Sequence, residues 1–382
     1  MDALEMLLAL VAPLRPGDEL APGVRLRAVS AEVGLRYRVE TAEGSLWVEL
    51  SPRGALDRPA ARTARFDVGW RDEGARLAVP DERARALCER LAALVARNEP
   101  HAMLTPAASG ARVRRVRVPF ALEPVTGAGV PHYTLSPYVG CLIGCGYCYA
   151  QRPVGAMRAL LGLPEAPWGS YTDVRENVAE RLTEELERLQ PAPIKLCPIV
   201  TDPYHPIEAR ERLTRRCLHV LAGAGPRWPV LLLTRSALVL DDVSLLAAMP
   251  ALWAGVSLPA ADTETLRRFE PRAASLDERL VVLRTLRDAG VRTFVVVQPI
   301  LEDRLERLAD AIASVAGTAS VDVLRGAFGA APRFEEPRYR AMLDPSWQRE
   351  HAERLETMLE QRGVRIWRAE LPPELCARDP AR

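Results

Sequence analysis

From residue 131 onward the chain alternates between two kinds of segment, and few folds accept that pattern. Apolar runs at 133–138, 193–199, 229–234, 251–258, 292–299 and 319–324 read as strands. Between them, 173–190, 208–223, 241–249, 275–289 and 302–316 carry apolar residues at helical spacing. The first of these predicts one apolar face of Val174, Val178, Leu182, Leu186 and Leu189. Pro229 opens one strand and Gly290 closes the helix before another, as start and stop chemistry requires. Six strands, each followed by a helix, imply a parallel sheet with right-handed crossovers. The expected fold class is α/β, a partial (β/α)6 TIM-type barrel. Chemistry in such barrels collects at the C-terminal ends of the strands.

The remaining segments read differently. Residues 1–100 form an expected small α+β accessory domain, with short strands at 24–30, 35–41, 45–50, 65–71 and 76–79 and a helix over 81–97. Residues 101–130 read as a Pro/Gly-rich connector carrying Arg112, Arg114, Arg115 and Arg117. That basic run is either an exposed strand edge or a surface for an anionic partner. The barrel is expected over 131–330 and a C-terminal extension over 331–382, irregular at 331–345, with a helix at 346–362 and a strand at 364–369. Net charge is +1, from 51 basic and 50 acidic residues, which points to no polyanionic partner. Only one basic residue is lysine, Lys195, a skew that reads as codon bias. Asp2 and Glu5 precede a short apolar run, so the N-terminus lacks the basic flank of a signal peptide, and no apolar stretch is long enough to span a bilayer.

Seven cysteines are scattered along the chain, but three fall together in GCLIGCGYCYAQ: Cys141, Cys145 and Cys148. Their loop directly follows the first barrel strand. Thiolate is the soft ligand that iron–sulfur clusters require, and three ligands on a four-iron cube leave one iron open for a substrate or cosubstrate. A zinc site would normally pair two CxxC units or add a histidine pair, and neither is present. Free thiols and an oxygen-sensitive cluster together point to a reducing cytoplasm. Cys88 and Cys217 lie on apolar helix faces and read as packing; Cys376 has no assigned role.

The CxxxCxxC spacing resembles the cluster loop of the radical S-adenosylmethionine (SAM) superfamily. SPYVGCLIGCGYCYAQRPVG, TDPYHPIE, LLLTRSALVLDD and GVSLPAADTETLRRFEPRAASLDERL resemble, in order, four segments of its spore photoproduct lyase-like branch. The resemblance covers roughly residues 131–325 and leaves out 1–100. It implies the radical SAM barrel core, a 4Fe-4S cluster on Cys141, Cys145 and Cys148, and SAM on the open iron. Reductive cleavage of SAM to a 5′-deoxyadenosyl radical would follow, driven by a one-electron donor such as flavodoxin or ferredoxin. Tyr147 would pack near the adenine, and Tyr149 would belong to a hydrogen-atom relay; plain packing is the other reading of both. Thr201 and Asp202 would meet the ribose or amino group of SAM, or else cap the following helix. Arg235 stands where the family has lysine, and would fork the SAM carboxylate. Ser257 would face SAM. Cys197 lies near the region where photoproduct lyases carry a hydrogen-donating cysteine, in a different register. After the fifth strand, VVVQPILEDRLERL lacks the family's PGxND-type turn at the barrel mouth. The substrate is open among nucleic acid, peptide and small molecule. DNA photoproduct repair and a non-catalytic iron–sulfur or zinc module are the alternative functions.

Overall fold

The computed structural model describes residues 14–376, except 15–16, 31–34, 43–44, 53–58, 65, 73–80, 103–111, 126–129, 162 and 198. The expected strand at 76–79 therefore lies outside the described residues, as does the side chain of Cys376.

Residues that alternate apolar and polar must form a sheet with one wet face, and the N-terminal segment does so. Strands β1 (Glu19–Ala21), β2 (Val24–Ser30), β3 (Leu35–Glu40), β4 (Ser45–Pro52), β5 (Ala61–Arg62) and β6 (Phe66–Asp72) make an antiparallel sheet in the order β1-β2-β3-β4-β6-β5. Leu26, Val39, Leu46, Val48, Leu50, Phe66 and Val68 are buried on its inner face. The helix Asp81–Ala102 buries Ala84, Leu87, Cys88, Leu91 and Val95 in the same core. Met157, Leu161 and Leu163, which follow the cysteine triplet in sequence, complete that core.

The segment expected as a connector supplies two strands instead. β7 (Val113–Val116) and β8 (Leu122–Val125) are followed by β9 (His132–Leu135), β10 (Tyr138–Val139) and β11 (Thr172–Arg175). β10, β11 and β7 form a small sheet, so the start of the expected helix 173–190 is strand. Val174 is buried there as a strand residue, and the helix proper, Val178–Arg188, buries Val178, Leu182 and Leu186. The arginines in and just after β7 are paired: Arg114 with Asp173, Arg115 with Glu211 at 2.9 Å and Arg117 with Glu176 at 3.4 Å. They decorate a strand edge and do not form a bare basic stripe.

The main sheet has the order β17-β16-β15-β14-β13-β12-β9-β8. Its later members are β12 (Ile194–Leu196), β13 (Val230–Thr234), β14 (Leu252–Ser257), β15 (Arg292–Val297), β16 (Thr318–Val321) and β17 (Arg365–Ile366). β9, β12, β13, β14, β15, β16 and β17 run parallel, and β8 pairs antiparallel to β9 on one edge. All six residues of β14 are buried, as expected of a central parallel strand covered on both faces. Helices Val178–Arg188, Leu213–Ala224, Leu276–Asp288 and Leu305–Ala313 pack on the outside. The opposite face carries Cys197, Leu231, Trp253 and Phe294, and Trp367, Leu371 and Leu375 of the C-terminal extension lie against them. Among the described residues, no helix is long and apolar enough to cross a membrane.

Candidate active site

The cysteine loop leaves β10 at Gly140 and ends where the helix Gln151–Leu160 begins. Cys141 and Cys145 are buried, Cys148 is half-buried, and all three are free thiols. Burial pushes the Cys141 thiol up to about 12 and raises Cys145 and Cys148 as well. A neighbouring cation would counter that rise by stabilising the thiolates. Among the described residues, no three His, Cys, Asp or Glu side chains converge tightly enough to hold a single metal ion.

Side chains from two distant motifs grip this loop. Leu142 is held on both sides of its peptide: its N–H donates to Nδ1 of His205 at 3.2 Å, and its carbonyl accepts from Arg272. Arg272 also donates to the Gly169 carbonyl at 2.6 Å. Gly144 has φ of +72°, and a Cβ there would meet Arg272 at 2.7 Å, so both the backbone and the clamp require glycine. The N–H of Gly146 donates to the Phe269 carbonyl at 2.9 Å, and the Gln151 side chain donates back to the Gly146 carbonyl at 2.5 Å. The Thr201 hydroxyl donates to the Gly140 carbonyl at 2.9 Å and fixes the loop's entrance.

Behind the loop lies a buried charge cluster. Glu270 accepts from the Tyr147 hydroxyl, from Nε of Arg235 at 2.8 Å and from Arg279. Burial pushes the Glu270 carboxyl up, but Arg279 and Arg235 outweigh it and hold it below the usual carboxylate range. Arg279 also donates to the carbonyls of Ser257 and Ala274, both at 2.8 Å, and so ties the end of β14 to the same knot. Asp202 accepts from the Thr234 hydroxyl at 2.6 Å, the Tyr204 N–H at 2.9 Å and the Arg235 N–H at 2.8 Å. Burial raises the Asp202 carboxyl, and these bonds restrain the rise.

All nine residues expected at the site line one cavity of about 900 Å³: Cys141, Cys145, Cys148, Tyr147, Tyr149, Thr201, Asp202, Arg235 and Ser257. A second barrel strand over 193–199, as expected, would bring Thr201 and Asp202 to its end. That strand, β12, ends at Leu196, and the two residues lie in the loop beyond it. Arg235 follows β13 directly and Ser257 ends β14, as expected. The structure separates the nine by what their polar atoms do. Both carboxylate oxygens of Asp202 and Nε of Arg235 are engaged by protein, whereas the Ser257 Oγ is fully buried with no partner. Cys197 also lines the cavity; its thiol donates to the Leu231 carbonyl at 3.3 Å, and burial pushes it up to about 12. Cys88 and Cys217 are fully buried in apolar cores, as expected. His205, Glu270, Arg272 and Arg279 were not singled out from sequence, although all four stand inside the quoted motifs.

Residues 135–312 match the model of the Radical SAM superfamily. The chain is 27% identical over 188 residues to an uncharacterized protein of Methanocaldococcus jannaschii, across 49% of this chain and 68% of that one. It is 30% identical over 198 residues to an uncharacterized protein of Mycobacterium tuberculosis, across 49% of this chain and 56% of the relative. A radical SAM Nalpha-GlyT isomerase of Pseudomonas phage M6 is 25% identical over 185 residues, across 47% and 36%. Among solved structures, a spore photoproduct lyase complexed with dinucleoside spore photoproduct covers 66% of this chain and 81% of its own, with a TM-score of 0.45 and 16% identity. Streptococcus suis SuiB bound to S-adenosylmethionine covers 78% and 54%, with a TM-score of 0.40 and 12% identity. Both scores are too low to transfer a substrate. The family match begins at the last residue of β9 and contains the cysteine loop, its clamps and all nine expected site residues. The barrel of this chain thus resembles that superfamily over residues 135–312, just under half of the chain's length.

Proposed function

We propose that the chain is a radical SAM enzyme that holds a 4Fe-4S cluster on Cys141, Cys145 and Cys148 and binds SAM in the adjoining cavity, acting on a substrate still to be identified. One observation carries this reading: three free thiols stand on a gripped loop at one end of a cavity walled by strand ends. Three protein ligands would leave one iron of such a cluster open to a further ligand. The partnerless Ser257 Oγ, buried in the cavity wall, suits a hydrogen-bonding ligand such as SAM, because a hydroxyl so placed is costly until it is paired. Arg235 contributes positive charge beside the thiols while Glu270 fixes its Nε edge. Thr201 and Asp202 act chiefly as supports, one for Gly140 and the other for the turn after β13.

Bound together, cluster and SAM would supply a carbon-centred radical able to abstract hydrogen, given one electron from an external donor such as flavodoxin or ferredoxin. The protein's share is to orient the reactants and exclude water. Anaerobic reconstitution with iron and sulfide tests the reading. Four irons per chain and reductant-dependent 5′-deoxyadenosine support it; zinc retained in place of iron, with no deoxyadenosine, sinks it.

A further inference from the structure

The cavity has a second end that this cofactor arrangement does not use. At about 900 Å³ it lies near the top of the range for single-ligand pockets, roughly 300–1,000 Å³, so it has room beyond a cofactor. Along the wall that continues β12, the lining residues run Lys195, Cys197, Ile199, then Thr201 and Asp202 beside the cysteine loop. Lys195 therefore stands at the far end. It is the chain's only lysine among 51 basic residues, and it is 14% exposed. Its ammonium donates to Glu370 at 2.5 Å. His132 and Thr134 of the neighbouring β9 line the same end, with Lys195 in register with Thr134. Nδ1 of His132 donates to the Val130 carbonyl at 2.9 Å, which leaves Nε2 an acceptor in the neutral ring.

The two halves of the ion pair are not equally fixed. Lys195 belongs to the sheet. Glu370 belongs to the extension after β17 and is 43% exposed. A sheltered ammonium needs an anion close by, and here that anion sits on the side that can turn out to solvent. Burial pushes the Glu370 carboxyl up, but Lys195, with the charge of Arg325 added, outweighs it and holds the carboxyl below its usual range. Arg325, itself paired with Asp322 at 3.1 Å, is a second cation near Glu370.

We infer that the far end of the cavity is a substrate subsite for a carboxylate or phosphate group, with Lys195 as its cation and Glu370 as a placeholder that the incoming anion displaces. The inference rests on the proposed function, which gives the other end to SAM.

The lone lysine makes the test direct. An amine-selective acylating reagent, followed by peptide mapping, reads the accessibility of Lys195 alone. Reconstituted protein is labelled with inorganic phosphate, acetate or SAM, against sodium chloride at equal ionic strength. Glu370→Gln should label about tenfold faster, because a charge-assisted bond is lost. Phosphate or acetate at about twice its dissociation constant should slow labelling about threefold, with SAM present or absent. Protection by phosphate alone or by acetate alone names the group. Protection by SAM alone, equal to that by the anions, would put the cofactor's own carboxylate at Lys195 and overturn the subsite; so would protection no greater than chloride gives, or a Glu370→Gln rate equal to wild type. The same arms run on Cys148→Ala separate this outcome from the cluster reading, since anion protection there persists without iron.

Discussion

The two ends of the cavity are built by opposite means. At the cysteine loop, Leu142, Gly140 and Gly146 each hand their peptide groups to a side chain or carbonyl from a distant segment, and Glu270 locks Tyr147, Arg235 and Arg279 together. At the far end, Lys195 is held by an ion pair to a half-exposed Glu370. The difference teaches that residues gathered at a site need not be there to touch a ligand. Most polar groups at the loop end are braces, and the adjustable chemistry lies where bracing is thin.

The severest test of that contrast is the triplet itself. Cys141→Ala, Cys145→Ala or Cys148→Ala should each abolish iron retention and deoxyadenosine formation, while Cys88→Ala with Cys217→Ala should keep both. Iron at wild-type levels in any of the first three would remove the loop from the chemistry. Next comes one substitution made at both ends. Glu270→Gln leaves two guanidinium groups short of a buried counter-charge and should cost about 3–5 kcal/mol in urea unfolding of the metal-free protein at pH 7. A loss under about 1 kcal/mol there would show that the knot is ornamental.

Acid sharpens the contrast further. His205 is buried and its pKa is lowered to about 3 by that burial, so it folds neutral. Between that value and the unfolded pKa of about 6.5, the unfolded chain binds the extra proton, and stability must fall as pH falls. Each unit below about 6.5 costs about 1.4 kcal/mol, or on the order of 2 kcal/mol at pH 5. Stability of the metal-free protein against that of His205→Gln across pH 7 to 5 should diverge by this amount; parallel curves would mean that His205 titrates normally. The smallest effect belongs to Glu370→Gln, the second half of the paired comparison. Exposure discounts its ion pair, so unfolding stability should change by about 0–1 kcal/mol. A cost near that of Glu270→Gln would erase the distinction between the two ends.

The barrel was legible because its strands are unbroken apolar runs, and the N-terminal strands because they alternate. The small sheet was not. Val174 and Val178 stand four apart, so the strand Thr172–Arg175 reads as the first turn of the helix after it. The helix Gln151–Leu160 was hidden by Pro153 and Gly155; Pro153 falls in its first turn, where no intrahelical N–H bond is lost. The three cysteines announce themselves by spacing. Glu270 does not: a carboxylate in EPRA acquires meaning only once Arg235, 35 residues away, and Arg279 are folded against it. Lys195 and Glu370 are 175 residues apart, and no local pattern links them.

Met157, Leu161 and Leu163 complete the core of the N-terminal sheet, and that sets an order of assembly. Domains fold as they leave the ribosome, N-terminal first. Strands β1 to β6 and their helix emerge before the triplet, so the helix that follows Cys148 meets an apolar face already waiting for it. The cysteine loop is thus moored at its exit from birth. Trp367 and Glu370 are synthesised more than two hundred residues later, and until they arrive the barrel's inner face lacks its cover. A ligand of the cysteine loop would reach it more freely before that cover closes.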